Sequence, residues 1–410
     1  MALQAGTESR HRQPTQSERN SLAADRAHIA VIDAKIMELK RSLSLLNKER
    51  GILQDRLDAY TYPVLTLPNE IVSEIFIHFL PVYPETPSLI GRSSPNLLGQ
   101  ICRKWREIAL STPALWRGIS LSLSNGKQID QKLRLLKLWL QRSGSCLLSI
   151  HMDLQIDDDI ERSGNTDPAT LDLSTHAIAA HSARWEYLRL CLPDVHPFPS
   201  IGPPLPFLRE LTMDLVNGTD SIREALHAAP LLRTVAVQFS PGHCISVYPW
   251  TQLTTFFGYG LLAHECVDIL TQAINLVKCN VDLDWADEDV SPPSRNITLP
   301  YLSTLILRGC IPDDLPWKLL DVFTLPALQK LEIDEELLQG DPIGLLKSLI
   351  SRSKCHMREL YVPDLDRRSL ETYRLALPAV GSIVRAKLDQ FNPWVVVDEM
   401  TDYDSDRDSD

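Results

Sequence analysis

Three pairs of neighbouring His and Cys residues are the first candidates for chemistry, because an imidazole and a thiolate together can bind zinc or form a nucleophile and its base. They are His243-Cys244, His264-x-Cys266 and Cys355-His356. No pair has a third ligand at the spacing of a zinc module, so chance adjacency or core packing is the simpler interpretation. The sequence also lacks a P-loop, a G-x-G-x-x-G turn, a G-x-S-x-G elbow and an H-E-x-x-H motif. We therefore expect a protein without catalytic residues, metal or cofactor.

Two acidic stretches supply most of the net charge of −12 and could in principle bind a cation. Residues 153–172 and 398–410 each hold seven acids and one arginine. Asp157-Asp158-Asp159 lacks the spacing of a calcium loop, so we predict a solvated acidic insertion at about 153–175. The second stretch predicts a disordered acidic tail over 397–410. Neither gives the basic face that nucleic acid requires.

Cysteine spacing and hydropathy indicate in which cellular compartment the protein is expected. The eight cysteines are widely spaced without a C-x-x-C pair, against a disulfide framework. No charged and apolar leader opens the chain, and no run of eighteen apolar residues occurs. We expect a soluble intracellular protein, cytoplasmic or nuclear, that does not bind a membrane.

A heptad pattern follows a polar arm at 1–24, which we predict to be disordered. From Ile29 to Tyr60 the apolar residues are spaced alternately by three and four, with Arg50 as the one interruption. This predicts a coiled-coil helix over 25–62 and a homodimer formed through it. The alternative is a single amphipathic helix lying on its own domain.

Short apolar helices are predicted next. Pro63 ends the heptad helix, and Pro68 suits the first turn of a new one in which Ile71, Ile75 and Phe79 are spaced by four. After a linker rich in Pro and Ser at 81–95, the cap signals Ser94-Pro95 and Thr112-Pro113 start two further helical segments.

The sequence of these segments resembles a known domain. The matching stretches are Leu67-Pro68-Asn69-Glu70-Ile71-Val72-Ser73-Glu74-Ile75-Phe76, Ile101-Cys102-Arg103-Lys104-Trp105-Arg106-Glu107-Ile108-Ala109 and Ser111-Thr112-Pro113-Ala114-Leu115-Trp116. They resemble the F-box-like domain, in the form common in mushroom-forming (basidiomycete) fungi, over residues 63–116. The resemblance implies a helical bundle that docks on a Skp-type adaptor, which in turn sits on a cullin scaffold.

Roles for individual residues come from that resemblance. The adaptor-binding residues would be Leu67, Pro68, Glu70, Ile71 and Ile75. The F-box core would be Ile101, Trp105, Ile108, Leu115 and Trp116. The long linker 81–95 departs from the family pattern. The alternative is that these helices simply cap the domain that follows.

From Trp116 onward one template recurs, an apolar anchor followed by apolar residues at plus three, plus five and often plus seven. Trp185-Leu188-Leu190-Leu192 and Leu208-Leu211-Met213-Leu215 are two of its copies. From Trp185 onward the anchors are 21 to 29 residues apart, close to the leucine-rich-repeat period. The Asn or Cys that ends that motif is mostly missing, so the resemblance is to degenerate leucine-rich repeats.

These patterns predict an α/β protein: a coiled-coil helix, a small helical F-box-like bundle, and over 117–396 a leucine-rich-repeat-like solenoid with a curved parallel sheet and helices outside. A doubly wound sheet is the competing architecture, but it requires the strand order to reverse. Residues between the inward positions are candidates for binding a partner. They are Arg209, Thr212, Arg233, Thr234, Gln329 and Glu332.

The function predicted from this organisation is a non-enzymatic substrate receptor of a ubiquitin ligase. The F-box would bind the Skp-type adaptor and cullin, and the repeats would capture an unknown protein substrate. One alternative is an interaction scaffold, dimerised by its coiled coil, that takes no part in ubiquitin transfer. Another is an α/β enzyme, which the missing motifs disfavour.

Overall fold

A computed structural model describes residues 15–59, 63–122, 129–154, 168–192, 198–199, 201–202, 204–214, 222, 225–239, 248–284, 296–309, 317–338, 340–363 and 369–385. The chain forms two compact units, Met1–Pro68 and Asn69–Asp410. The acidic tail, most of the acidic insertion and the first fourteen residues of the arm lie outside the described residues.

The helices and strands are as follows. The α-helices are α1 (Gln16–Ala59), α2 (Asn69–Phe79), α3 (Leu98–Ile101), α4 (Arg103–Leu110), α5 (Ile129–Arg142), α6 (Pro168–Ala179), α7 (Ala263–Gln272), α8 (Pro342–Ser353) and α9 (Leu370–Ala376). The strands are β1 (Gly118–Ser122), β2 (Leu148–Asp153), β3 (Trp185–Cys191), β4 (Glu210–Asp214), β5 (Thr234–Gln238), β6 (Thr255–Leu261), β7 (Lys278–Leu283), β8 (Ile297–Thr298), β9 (Thr304–Gly309), β10 (Phe323–Thr324), β11 (Lys330–Ile333), β12 (Glu359–Tyr361) and β13 (Ser382–Val384).

The first unit consists of the 44-residue helix α1 and a short 3₁₀ helix at Pro63–Thr66. Helix α1 begins at Gln16, so residues 16–24 are helical and do not belong to a disordered arm. Leu22, Ala23 and Ala24 are strong helix formers, and extending a helix costs far less than starting one. The seam predicted from Ile29 therefore continues towards the N-terminus.

The second unit opens with the small helical bundle. Its predicted helix around Trp105 is interrupted, because Cys102 is extended at φ −155° and ψ 168° and separates α3 from α4. The Cys102 Sγ then accepts a hydrogen bond from the Trp105 backbone N–H at 3.4 Å, as a cap for α4. The break turns α4 relative to α3, which changes which side chains share a face.

Eleven strands form one parallel sheet in strict chain order, β1-β2-β3-β4-β5-β6-β7-β9-β11-β12-β13, while β8 and β10 pair separately. Adjacent strands align the same template position. Ile150 lies opposite Leu188, Leu188 opposite Leu211, and Leu211 opposite Val235. These side chains are buried, so each strand completes the core of its neighbours. The order contains no reversal, which argues against the doubly wound alternative.

The segments that return the chain between strands are short. Helices α7 and α8 are two of these segments, and they lie outside the sheet strands as the repeat pattern predicts. Two returns end in a 3₁₀ turn just before the next strand, at Ser182–Arg184 after helix α6 and at Trp250–Gln252. Large aromatic anchors fill the space beside these short turns, for example Trp185 and Trp250, which are both buried.

Gly309 ends strand β9 and lies very close to the backbone of the neighbouring strand β7. Its φ is +92°, and a Cβ built there would lie 2.1 Å from the Leu283 carbonyl oxygen. The neighbouring strand therefore leaves no room for any side chain at this position.

We expect Gly309→Ala to lower the free energy of unfolding by at least about 2 kcal/mol, since it combines an unfavourable φ with a backbone clash. Gly202→Ala is the matched control, because nothing lies within 4 Å of its added Cβ. Urea unfolding followed by circular dichroism compares the two, and equal stabilities would contradict the strain at Gly309.

Candidate protein-docking surfaces

Helix α2 has two apolar faces, and only one of them is covered. Val72 and Phe76 are each 1% exposed and form the inner face. Ile71, Ile75 and Phe79 are 49%, 48% and 44% exposed, and their spacing by four places them on one stripe. A short helix with a buried face and a second exposed apolar stripe has the form of a helix that contacts another protein.

The inner face of α2 is held by aromatic and aliphatic packing. The Phe76 and Trp105 rings meet edge to face with centroids 5.0 Å apart. Ile108 and Leu115 are buried below them. Thr112 Oγ1 donates to the Ile108 carbonyl at 2.8 Å, which closes the end of α4. These contacts fix α2, so its outer stripe is presented on a stable support.

Trp116 joins the bundle to the first repeat helix. Its Nε1 donates to the Ala109 carbonyl at 2.9 Å, and its ring meets the Trp139 ring of α5 at 5.5 Å. The Arg142 guanidinium lies 4.6 Å from the centre of the Trp116 ring. A cleft of about 530 Å³ opens beside this joint and is lined by side chains that include Leu97 and Leu135. The bundle and the sheet thus share a core.

The residues assigned to adaptor binding and to the F-box core by resemblance differ in their exposure. Glu70, Ile71 and Ile75 are exposed on α2. In the first unit, Leu67 is half-buried and Pro68 is exposed. In the assigned core, Ile108, Leu115 and Trp116 are buried and Trp105 is partly buried.

Ile101 is the exception, since it was assigned to the core and is 61% exposed. A continuous helix would have placed Ile101 and Trp105 four residues apart on one face. The extended Cys102 between α3 and α4 removes that relation. Ile101 is therefore a surface residue of the bundle.

Residues 83–88 form a strap across the first strands of the sheet, which sequence reasoning missed. The Tyr83 hydroxyl donates to Glu186 Oε2 at 2.9 Å, and its ring meets that of Tyr187 at 5.5 Å. Ser149 Oγ donates to the Pro84 carbonyl at 2.5 Å. At the sheet edge, Ser88 pairs with Ser120 of β1 in a parallel bridge. The linker is thus docked on β1, β2 and β3.

Electrostatics and close packing hold the strap in place. The Arg117 guanidinium lies 3.8 Å from the centre of the Tyr83 ring. Burial raises the pKa of Tyr83 above its ordinary range, and the hydrogen bond to Glu186 raises it further. A Cβ on Gly118 would lie 3.0 Å from Pro87 Cδ, so glycine allows the strap to lie flat. An isolated tyrosine within a Pro and Ser linker was the only hint in the sequence.

The strap covers the face of the sheet that points away from the buried Leu and Ile rows. Beyond it, this face carries paired charges, with Arg308 Nε 2.6 Å from Glu332 Oε1 and Lys330 Nζ 2.9 Å from Glu359 Oε2. These pairs bridge neighbouring strands. This part of the face is therefore polar and held by its own ion pairs, whereas the central strands bury apolar residues such as Phe257 on the same face.

The predicted partner-binding residues fall into two groups. Thr212 and Glu332 are fully buried among their strand neighbours, so they offer little surface. Thr234 is half-buried, and Arg209 is exposed with its Nε 3.0 Å from Glu186 Oε1. Arg233 and Gln329 stand just before β5 and β11, where their carbonyls accept hydrogen bonds from the next strand. Of the six, Arg209, Arg233 and Gln329 are exposed and can reach a partner.

The buried thiols of Cys266 and Cys279 are poor nucleophiles in their surroundings. Burial raises the pKa of Cys266 to about 12, and the charge of Glu265 adds to the effect. Burial also raises the pKa of Cys279. His243-Cys244 lies outside the described residues. In the described ranges, no three His, Cys, Asp or Glu side chains come together as metal ligands, and no helix has the length and apolar character to cross a membrane.

Comparisons with known proteins identify no family for this chain. No protein-family model matches the chain, and no curated protein matches it. Among solved structures, a crystal structure of the Rad7 and Elc1 complex in yeast is similar over 84% of this chain and 98% of that one. The identity is 9% and the TM-score is 0.35, a likeness too loose to define fold or function.

His151 makes the stability of the folded protein depend on pH. It lies on the open face of β2, and burial lowers its pKa from 6.5 to about 4, with the charge of Arg189 as a second cause. The folded protein therefore keeps His151 neutral at a pH where the unfolded chain binds a proton. Stability is unaffected above pH 6.5, falls as the pH drops towards 4, and levels off below that value.

We expect the wild-type protein to lose about 2 kcal/mol more stability than His151→Asn between about pH 7.5 and about pH 5. The variant has the same carboxylates, so their titration cancels in the comparison. Urea unfolding at both pH values measures the difference. Parallel pH profiles for the two proteins would show that His151 is not held neutral.

Proposed function

We propose that this protein is the substrate-receptor subunit of a Skp/cullin/F-box-type ubiquitin ligase. The observation that carries the proposal is the exposed stripe of Ile71, Ile75 and Phe79 on a helix whose opposite face is firmly buried. The sequence of that helix resembles the Leu-Pro helix with which F-box-like domains contact a Skp-type adaptor. The stripe supplies apolar area for that contact, and Glu70 supplies a charge at its edge.

In this proposal the parallel sheet is a set of degenerate leucine-rich repeats that captures the target protein. The regular alignment of template positions between neighbouring strands supports that assignment. The strap already covers the open face of β1 to β3, so the capturing surface consists of the later strands and the loops at their ends. Catalysis belongs to other subunits, which agrees with the raised pKa values of the buried thiols.

A non-ligase scaffold is the second candidate function. The observation that favours it is the long solvent-exposed seam of α1, which can join two chains without any adaptor. The two functions differ at one point only, namely whether α2 binds a Skp-type adaptor. A binding experiment on α2 therefore decides between them.

We expect Ile71→Asp combined with Ile75→Asp to weaken adaptor binding by about 100-fold or more, because two apolar side chains would be replaced by charges that binding must desolvate. Both side chains are about half exposed in the free protein, so the fold should persist. Titration calorimetry with a purified Skp-type adaptor measures the affinity, and co-purification of cullin reports assembly.

Leu375→Asp is the matched control, since Leu375 is 77% exposed on α9 and lies outside the bundle. It should bind the adaptor as the wild type does. These substitutions are preferable to deleting residues 63–116, which would remove Trp116 from its contact with Trp139. Wild-type protein that fails to bind the adaptor would leave the scaffold as the function.

A further inference from the structure

Helix α1 carries an apolar seam that is open to solvent along its length. The residues of the seam are Leu22, Ile29, Ile32, Ile36, Leu39, Leu43, Leu46, Leu53 and Leu57. Every one of these side chains is at least 41% exposed. A narrow seam with spacings of three and four is the form that another helix buries in a coiled coil. A second copy of α1 is a partner of matching length and pattern.

Between Leu22 and Leu57, two charged residues, Asp25 and Arg50, occupy seam positions and favour one alignment of two copies. Asp25 lies nine residues from Gln16, the first residue of α1, and Arg50 lies nine residues from Ala59, the last. They are therefore equally distant from the centre of the helix, which falls between Met37 and Glu38. When two copies overlap completely and run in opposite directions, each Asp25 faces Arg50 of the second copy.

The flanking charges agree with the antiparallel alignment. In the same register Asp33 lies beside Lys40 of the second copy, and His28 lies beside Glu49 of the second copy. A parallel, in-register pair would instead place Asp25 against Asp25 and Arg50 against Arg50 inside the seam, with Lys35 beside Lys40. Like charges in a seam are strongly unfavourable, whereas opposite charges compensate each other.

Other antiparallel registers fit less well. Shifting one helix by one heptad towards its C-terminus places Arg50 against Ile32 and brings the two Lys40 side chains together. Shifting it the other way brings the two Asp33 side chains together. Complete overlap of α1 is thus also the register with the best charge pairing.

We propose that α1 joins two copies of this chain in an antiparallel coiled coil, in which Asp25 and Arg50 of each copy pair with Arg50 and Asp25 of the other. A helix of 44 residues is about 66 Å long, so the two chains leave the coil at opposite ends, about 66 Å apart. The pairing does not depend on the adaptor. Its test therefore stands apart from that of the proposed function.

Sedimentation equilibrium of the full chain tests the proposal. We expect a dimer at micromolar concentration, and a dissociation constant raised about 30-fold or more by Asp25→Arg or by Arg50→Asp, because each sets like charges face to face. The double variant, Asp25→Arg with Arg50→Asp, should return to within about 3-fold of wild type, since the ion pairs re-form with their ends exchanged.

Asp55→Arg is the matched control, because Asp55 lies on the outer side of α1, away from the seam, and this variant should dimerise as the wild type does. A double variant as weak as the single ones would overturn the proposal. So would equal affinity of the wild type and all three variants, which is the result that a parallel coil gives, since each of them then sets like charges face to face. A wild-type chain that stays monomeric at tens of micromolar would overturn it as well.

Discussion

The stacking of buried side chains at the same level of eleven aligned strands is the constraint on which the structure depends. Each strand is only three to seven residues long, too short to hold a core by itself. It becomes stable because Leu188, Leu211, Val235 and their counterparts stack at the same level from strand to strand. The protein therefore holds together by neighbour contacts, and every end of the array needs a cover.

The N-terminal cover also explains why the small bundle is part of the larger unit. The edge of β1 would present unpaired backbone groups to solvent. Ser88 pairs with Ser120 there, and Trp116 fills the space beside α5 with an edge-to-face contact to Trp139. The same segment thus protects the sheet and supports α2. This arrangement lets α2 leave an apolar stripe exposed, because its inner face is already anchored by Phe76 and Trp105.

Sequence reasoning predicted the features that repeat or that depend on near neighbours. The repeat template predicted the parallel sheet, since its inward residues lie within one strand and its anchor lies just before it, as at Leu211 and Met213 with the anchor Leu208. Sequence reasoning missed the break at Cys102, where the thiol caps the next helix. A cysteine is seldom used as a helix cap. As a result Ile101 was assigned to the wrong side of the bundle. It also missed the strap, whose contacts join residues far apart in the chain.

The strap can form its contacts with the sheet only after a long stretch of chain has been synthesised. Tyr83 and its partner Glu186 are 103 residues apart, so the ribosome must complete β1, β2 and the start of β3 before this contact can form. Until then, the strap emerges with its supporting surface still missing, although α2 can already pack on Trp105. The linker therefore stays open during this interval, when chaperones have access to it. The rate of translation thus sets how long the strap stays undocked.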